Sequence, residues 1–176
     1  SSDNTAYSVQ TGAWPATLVL PILLDVRGLV VGKAGDGSDV NGTAEAGGPA
    51  INLGADVRIS NTGVIGGGGG GGDWVIDLIS KASGGGGAGF TTGLGGTGEV
   101  GNVSTSPSGN GSNEAGGEGG TARSQSGGEG SFATGGRGGG LGAAGQFGGG
   151  AAGAAISLNG YTITYINTGT ILGTVS

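Results

Sequence analysis

Apolar and polar residues alternate in two stretches of the chain that are copies of one another. The first copy reads Ala50-Ile51-Asn52-Leu53 and then Ile59-Ser60-Asn61-Thr62-Gly63-Val64-Ile65. The second reads Ala155-Ile156-Ser157-Leu158 and then Tyr165-Ile166-Asn167-Thr168-Gly169-Thr170-Ile171. The first blocks lie 105 residues apart and the second blocks 106, so one residue is inserted between them. Ala55, Val57 and Ile59 fall on one strand face, with Tyr161, Ile163 and Tyr165 as their counterparts. A period of two marks half-buried strands. The shared Asn-Thr-Gly is a turn signal after each strand. A looser relative is Arg27-Gly28-Leu29-Val30-Val31-Gly32. The apolar run Ala16–Leu24 reads as an early strand, since Pro21 and its length of about half a membrane span exclude a transmembrane helix. The pattern predicts equivalent β-elements that bracket and close the middle of the chain.

Between the copies the alternation gives way to glycine, which supplies 50 of the 176 residues. Tracts occur at 63–72, 84–89, 93–98, 116–120, 127–130, 135–142 and 148–153. Nearly all bulky or charged residues of this zone lie between them, a segregation that a flexible linker would not need. Gly is poor in α-helices and strand interiors. It can adopt an extended threefold helix of about 3.1 Å rise per residue, whose N–H and C=O groups point outward. Such helices must pack side by side to pair those groups. An outer helix can carry one outward side chain in three, which fits Gly-Gly-Glu118-Gly-Gly, Gly-Gly-Glu129-Gly and Gly-Gly-Arg137-Gly-Gly. The expected fold class is irregular/β: a layered bundle of polyglycine II helices bracketed by short β-strands, with almost no α-helix. Residues 1–49 are expected to form a strand-containing attachment region and residues 50–176 the Gly-rich domain.

Composition narrows the chemistry. There is no Cys, His or Met. Disulfides, thiolate sites and the usual zinc sites are therefore excluded, and the absence of Met points to a fragment or a processed chain. A formal charge of −6 argues against nucleic acid. Gly-x-Gly-x-x-Gly matches arise from composition alone, and Gly-Lys-Ser/Thr is absent. Asp36-Gly-Ser-Asp39-Val-Asn41-Gly lacks the closing Glu of a calcium loop and reads as a solvated turn. The scattered acids offer no catalytic pair. Neither an enzyme nor a cofactor nor a metal site is expected.

The Asn-Thr-Gly-Val-Ile of residues 61–65, the seven-Gly run 66–72 and the alternation of Gly-rich motifs with variable segments carry a resemblance. Over residues 50–176 the chain resembles the adhesins at the long tail-fibre tips of T-even-like phages. The resemblance implies layered polyglycine II helices whose connecting loops contact outer-membrane proteins of Gram-negative hosts. It implies a place at the tail fibre tip of the virion, tail fibre or tail-tip proteins as partners, and a protein receptor ahead of glycan or lipopolysaccharide. A Gly-rich structural segment without a ligand, or an ice-binding polyglycine bundle, are the rival functions.

Short connections make successive helices antiparallel, so the connections alternate between two ends of the bundle. This places 73–83, 99–115 and 131–134 at one end, and 90–92, 121–126 and 143–147 at the other. The end with the longest segments is the expected receptor-binding tip. Its candidate contacts are Asp73, Trp74, Ile76 and Lys81 in 73–83, then Glu99, Val103, Pro107, Asn110, Asn113 and Glu114 in 99–115, and Phe132. An exposed Trp with apolar neighbours makes a good anchor, and Trp74, Ile76 and Leu78 share a face in a strand. A plug packed on the helix layers explains the same residues equally well, and Phe132 slightly better. An unstructured surface loop is the alternative for 99–115.

Overall fold

The computed structural model describes residues 8–15, 22–102, 104–126 and 129–176. Val103 and the Ala16–Pro21 part of the expected early strand lie outside them. There is no α-helix among the described residues. The strands are β1 (Val9–Gln10), β2 (Ile22–Val26), β3 (Leu29–Val31), β4 (Ile51–Asn52), β5 (Val57–Asn61) and β6 (Val64–Gly66). Then come β7 (Val75–Asp77), β8 (Ser80–Ala82), β9 (Ser104–Ser106), β10 (Thr121–Ser126) and β11 (Glu129–Thr134). The last are β12 (Ile156–Ser157), β13 (Ile163–Asn167) and β14 (Thr170–Leu172).

Three parallel three-stranded sheets, β1-β4-β12, β2-β5-β13 and β3-β6-β14, make a body of three coils. Each coil sends one strand into each sheet. The coil of β4–β6 is central, and the other two flank it. The internal repeat of the sequence is this register: Ile156 pairs with Ile51, Ile163 with Val57 and Thr170 with Val64. The looser relative supplies the third copy, with Leu29 beside Val64. Strands β1, β2 and β3 thus share their sheets with β4, β5 and β6. The core between the sheets holds Val26, Ile51, Leu53, Val57, Ile59, Ile65 and Ile156, all buried. Each such side chain contributes roughly 1.5–3 kcal/mol by leaving water.

Every coil hands the chain to or from a glycine tract. The tract 66–72 runs on from β6, is buried throughout, and is hydrogen-bonded on all sides. The N–H groups of Gly68 and Gly71 donate to Gly48 and Glu45, those of Gly69 and Gly72 to Ala88 and Gly85, and those of Gly67 and Gly70 to Leu172 and Ala143. The carbonyls repeat the rule. Gly66, Gly69 and Gly72 accept from Gly32, Gly35 and Ser38, while Gly68 and Gly71 accept from Gly153 and Gly150. Gly67 and Gly70 accept from Gly142 and Gly139. Every third residue addresses the same neighbour, as a segment with three residues per turn requires. The partner numbers fall as the tract's rise for 45–48, 85–88, 139–142 and 150–153, so these run antiparallel to it; 32–38 runs parallel.

The division of the tracts needs one correction. Residues 129–130 are not a glycine tract of their own but the start of β11, which pairs with β10 in an antiparallel hairpin from Thr121↔Thr134 to Ser126↔Glu129. The outward Glu118 and Arg137 follow the expected rule, and their side chains meet at 2.5 Å across adjacent antiparallel tracts.

Candidate functional site

The glycine bundle has two unlike ends. The three-coil body occupies one, together with the connections 90–92, 112–115 and 140–143. Phe90 N there donates to Gly32 O, and Gly142 N to Gly67 O. The opposite end collects the hairpin β7–β8, residues 97–102 and β9, the hairpin β10–β11, and two turns. One turn spans Asp39–Gly42, closed by Gly42 N to Asp39 O at 2.8 Å. The other spans Gln146–Gly149, closed by Gly149 N to Gln146 O at 3.1 Å.

Small side chains hold this end together. Ala82, Ala122 and Ala133 form its buried core, where β7–β8 lies on the β9–β10–β11 sheet. Ser80 and Ser131 are buried beside them, with their hydroxyls 2.6 Å apart. Side chains of this size bury little apolar area each, so polar contacts carry much of the junction. Asp77 Oδ2 accepts from Phe132 N at 3.0 Å, tying one hairpin to the other. Ser83 Oγ donates to Gly96 O at 3.0 Å and also to the Glu99 carboxylate. Lys81 and Val100 exchange both backbone hydrogen bonds, at 3.0 and 2.9 Å.

The expected loops do not all stay at one end. Segments 73–83 and 131–134 sit at the end away from the coils. Residues 121–126, expected opposite, join them because they are the other arm of the 131–134 hairpin. The segment 99–115 divides. Its first part pairs as β9 with β10, after which Gly109 and Ser112 accept from Gly86 and Gly89, so that the chain runs back along the bundle. A turn closed by Ser112 N to Ala115 O then leaves Asn113 and Glu114 at the coil end. The 143–147 connection is likewise misassigned. Ala143 and Gln146 accept from Gly70 and Asp73, so this stretch runs beside 70–73 and turns at 146–149, at the end away from the coils.

Each candidate contact now has surroundings. Asp73 is half-buried and its carboxylate accepts from Trp74 N at 2.8 Å. Trp74 is half-buried with Lys81 Nζ 5.9 Å from its ring centroid, and the same ammonium donates to Asn41 Oδ1 at 3.1 Å. Trp74 precedes β7 and Leu78 follows it, so the shared strand face expected for Trp74, Ile76 and Leu78 does not form. Ile76, Phe132 and Pro107 are exposed. Phe132 pairs across the hairpin with Arg123, whose guanidinium lies 5.1 Å from the ring centroid. Asn110 is exposed, and its Oδ1 accepts from Gly95 N at 2.9 Å on the side of the bundle.

Two residues absent from the candidate set stand out by backbone geometry. Leu78 has φ +47° and is 69% exposed, at the first central position of the two-residue β7–β8 turn. Phe147 has φ +58° and is 64% exposed, and Gly148 follows it at φ +79°. The positive-φ residues other than Gly among the described residues are these two and Asn41 and Asn159. Asn tolerates that conformation, whereas bulky residues are outliers there. Gly or Asn would be favoured at both turn positions. Ile79, beside Leu78, is also exposed. No group of metal-ligating side chains occurs among the described residues.

A family model described as phage tail fibre adhesin Gp38 matches residues 1–176. Among solved structures, the chain is similar to one from the gp37–gp38 adhesin tip complex of the bacteriophage S16 long tail fibre. That match has a TM-score of 0.66 and 29% identity over 98% of this chain and 68% of the other. No curated protein matches the chain.

Proposed function

The chain belongs to the phage tail fibre adhesin Gp38 family, and from that membership we propose that its end away from the three coils grips a protein in the outer membrane of a Gram-negative host. Its place is the tail fibre tip of the virion, and its function is receptor binding. The observation that carries the assignment of the end is the convergence there of two hairpins, residues 97–102, β9 and two turns, on a bundle stiffened by hydrogen bonds on all sides. Recognition residues belong on loops held by a rigid scaffold. We read the glycine tracts as polyglycine II helices, a reading supported by their three-residue hydrogen-bond period. The related chain occurs in a complex with gp37; by analogy, the coil end here faces a tail fibre protein.

Of the candidate contacts, the proposal keeps Asp73, Trp74, Ile76, Lys81, Glu99, Pro107 and Phe132 at the binding end. The test is binding of the purified chain to intact Gram-negative cells, with and without prior protease treatment of the cells. Binding that protease abolishes is expected. Binding that survives protease sinks the protein receptor in favour of a glycan, and no binding across a broad strain panel sinks the function.

A further inference from the structure

Resting on that reading, we propose that Leu78 with Ile79, and Phe147, are the apolar anchors of the binding end, and that the receptor meets them with an apolar recess of a protein surface. A single exposed Leu or Phe carries no information. Here the two bulky positive-φ residues of the described chain are both in turns, both well exposed and both at the same end. Strained backbone of this kind persists where function requires it. Neither side chain earns its place by packing within the chain, since each projects into solvent. A turn built for stability alone would hold Gly at position 78 and Asn at position 147.

The surrounding charges point the same way. Of the six cations of the chain, Lys81 and Arg123 stand at this end, each against an aromatic ring, and Arg137, beside the Gln146 turn, is paired with Glu118. Asp77 is held by the Phe132 N–H and Glu99 by Ser83. With the cations of this end engaged and a formal charge of −6 on the chain, the end is poorly matched to a phosphate-rich lipopolysaccharide. Aliphatic side chains offer sugars no hydrogen bond. Leu78, Ile79 and Phe147 all gain by leaving water against an apolar surface.

The variants Leu78→Gly and Phe147→Asn test this, because each supplies the residue that its turn prefers. Both are expected to melt at or above the wild-type temperature and yet bind intact cells more weakly, on the order of tenfold or more. Asn113→Ala at the coil end is expected to leave binding unchanged. Wild-type affinity in Leu78→Gly and Phe147→Asn, alongside cell binding by the unaltered chain, overturns the anchors and leaves the receptor-binding end in place. Cell binding by the unaltered chain that survives protease overturns the protein recess. Failure of the unaltered chain to bind any cells overturns both readings.

Discussion

Gly70 sits where a methyl group has no room. Its N–H donates to Ala143 and its carbonyl accepts from Gly139, and a Cβ would collide with the Gly150 carbonyl. Gly28 is the contrast: nothing lies within 4 Å of the position its Cβ would take. Gly70→Ala is therefore expected to destabilise the chain by about 3 kcal/mol or more, at the upper end of overpacking costs. Gly28→Ala should be neutral or slightly stabilising, by up to about 0.5 kcal/mol through the unfolded state. Thermal and denaturant unfolding of the pair decide it, and equal losses at both positions would contradict close backbone packing. At Leu78 the sign reverses. Left-handed backbone costs an L-residue roughly 1–2 kcal/mol, against about 0.5–1 kcal/mol of added entropy cost for Gly. Leu78→Gly should then leave stability unchanged or raise it by about 1 kcal/mol. The need for Gly in the tracts was legible from composition. The strain at Leu78 and Phe147 was not, because a sequence of branched and aromatic residues gives no sign of positive φ.

Among the elements, the coils are stitched together by side chains of the repeated motif. Asn61 is buried, and its Nδ2 donates to Thr168 O at 2.7 Å while its Oδ1 accepts from Gly63 N at 2.9 Å. Its counterpart Asn167 is exposed on the outer coil. Asn61→Ala should cost about 2–3 kcal/mol, since it removes a buried side chain together with its hydrogen bonds to Thr168 and Gly63. Asn167→Ala should cost less than about 0.5 kcal/mol, as surface changes do. Asp56 clips the third coil to the second: its carboxylate accepts from Thr162 N at 2.8 Å and from Thr162 Oγ1 at 2.9 Å. The backbone hydrogen bond first, then the hydroxyl, holds its pKa below the ordinary 3.8. A lowered folded pKa means that the contribution is present above 3.8 and is lost as pH falls through the lower folded value. Stability measured from pH 5 downward should fall more in the native chain than in Asp56→Asn. Parallel pH profiles would remove the clip.

These elements also show what the pattern could and could not reveal. The spacings of 105 and 106 are the strand register itself, because large apolar residues mark both copies. The β10–β11 hairpin was missed because its inward residues are Ala122, Ser124, Ser131 and Ala133, too small and polar to produce a hydrophobic period. The return run after Ser106 carries no tract signal because Ser108-Gly109-Asn110-Gly111 is not pure glycine. Those two misreadings, with the 143–147 connection, account for every loop assigned to the wrong end.

For the whole molecule, the fold gives an axis. A β-body with a conventional core stands at one end, a glycine bundle carries the chain outward for about 19 Å along 66–72 at 3.1 Å per residue, and strand-built loops crown the other end. The bundle has few large side chains of its own, so its order depends on dense backbone hydrogen bonding of about 0.5–1.5 kcal/mol net per bond. Amide exchange should be slowest at Gly68–Gly72 and fast in the 146–149 turn. Exchange as fast in the tract as in the turn would contradict a bundle of this kind.

The most direct test of which end binds uses the absence of Cys from the chain. Single cysteines at Thr105→Cys on β9 and at Asn113→Cys beside the coils, both exposed positions, accept a bulky polyethylene glycol maleimide. Binding of the labelled chains to susceptible cells is then compared with that of the unlabelled ones. The label at 105 is expected to abolish binding and the label at 113 to leave it intact. Binding lost only with the label at 113 would put the receptor at the coil end and overturn the assignment of the binding end.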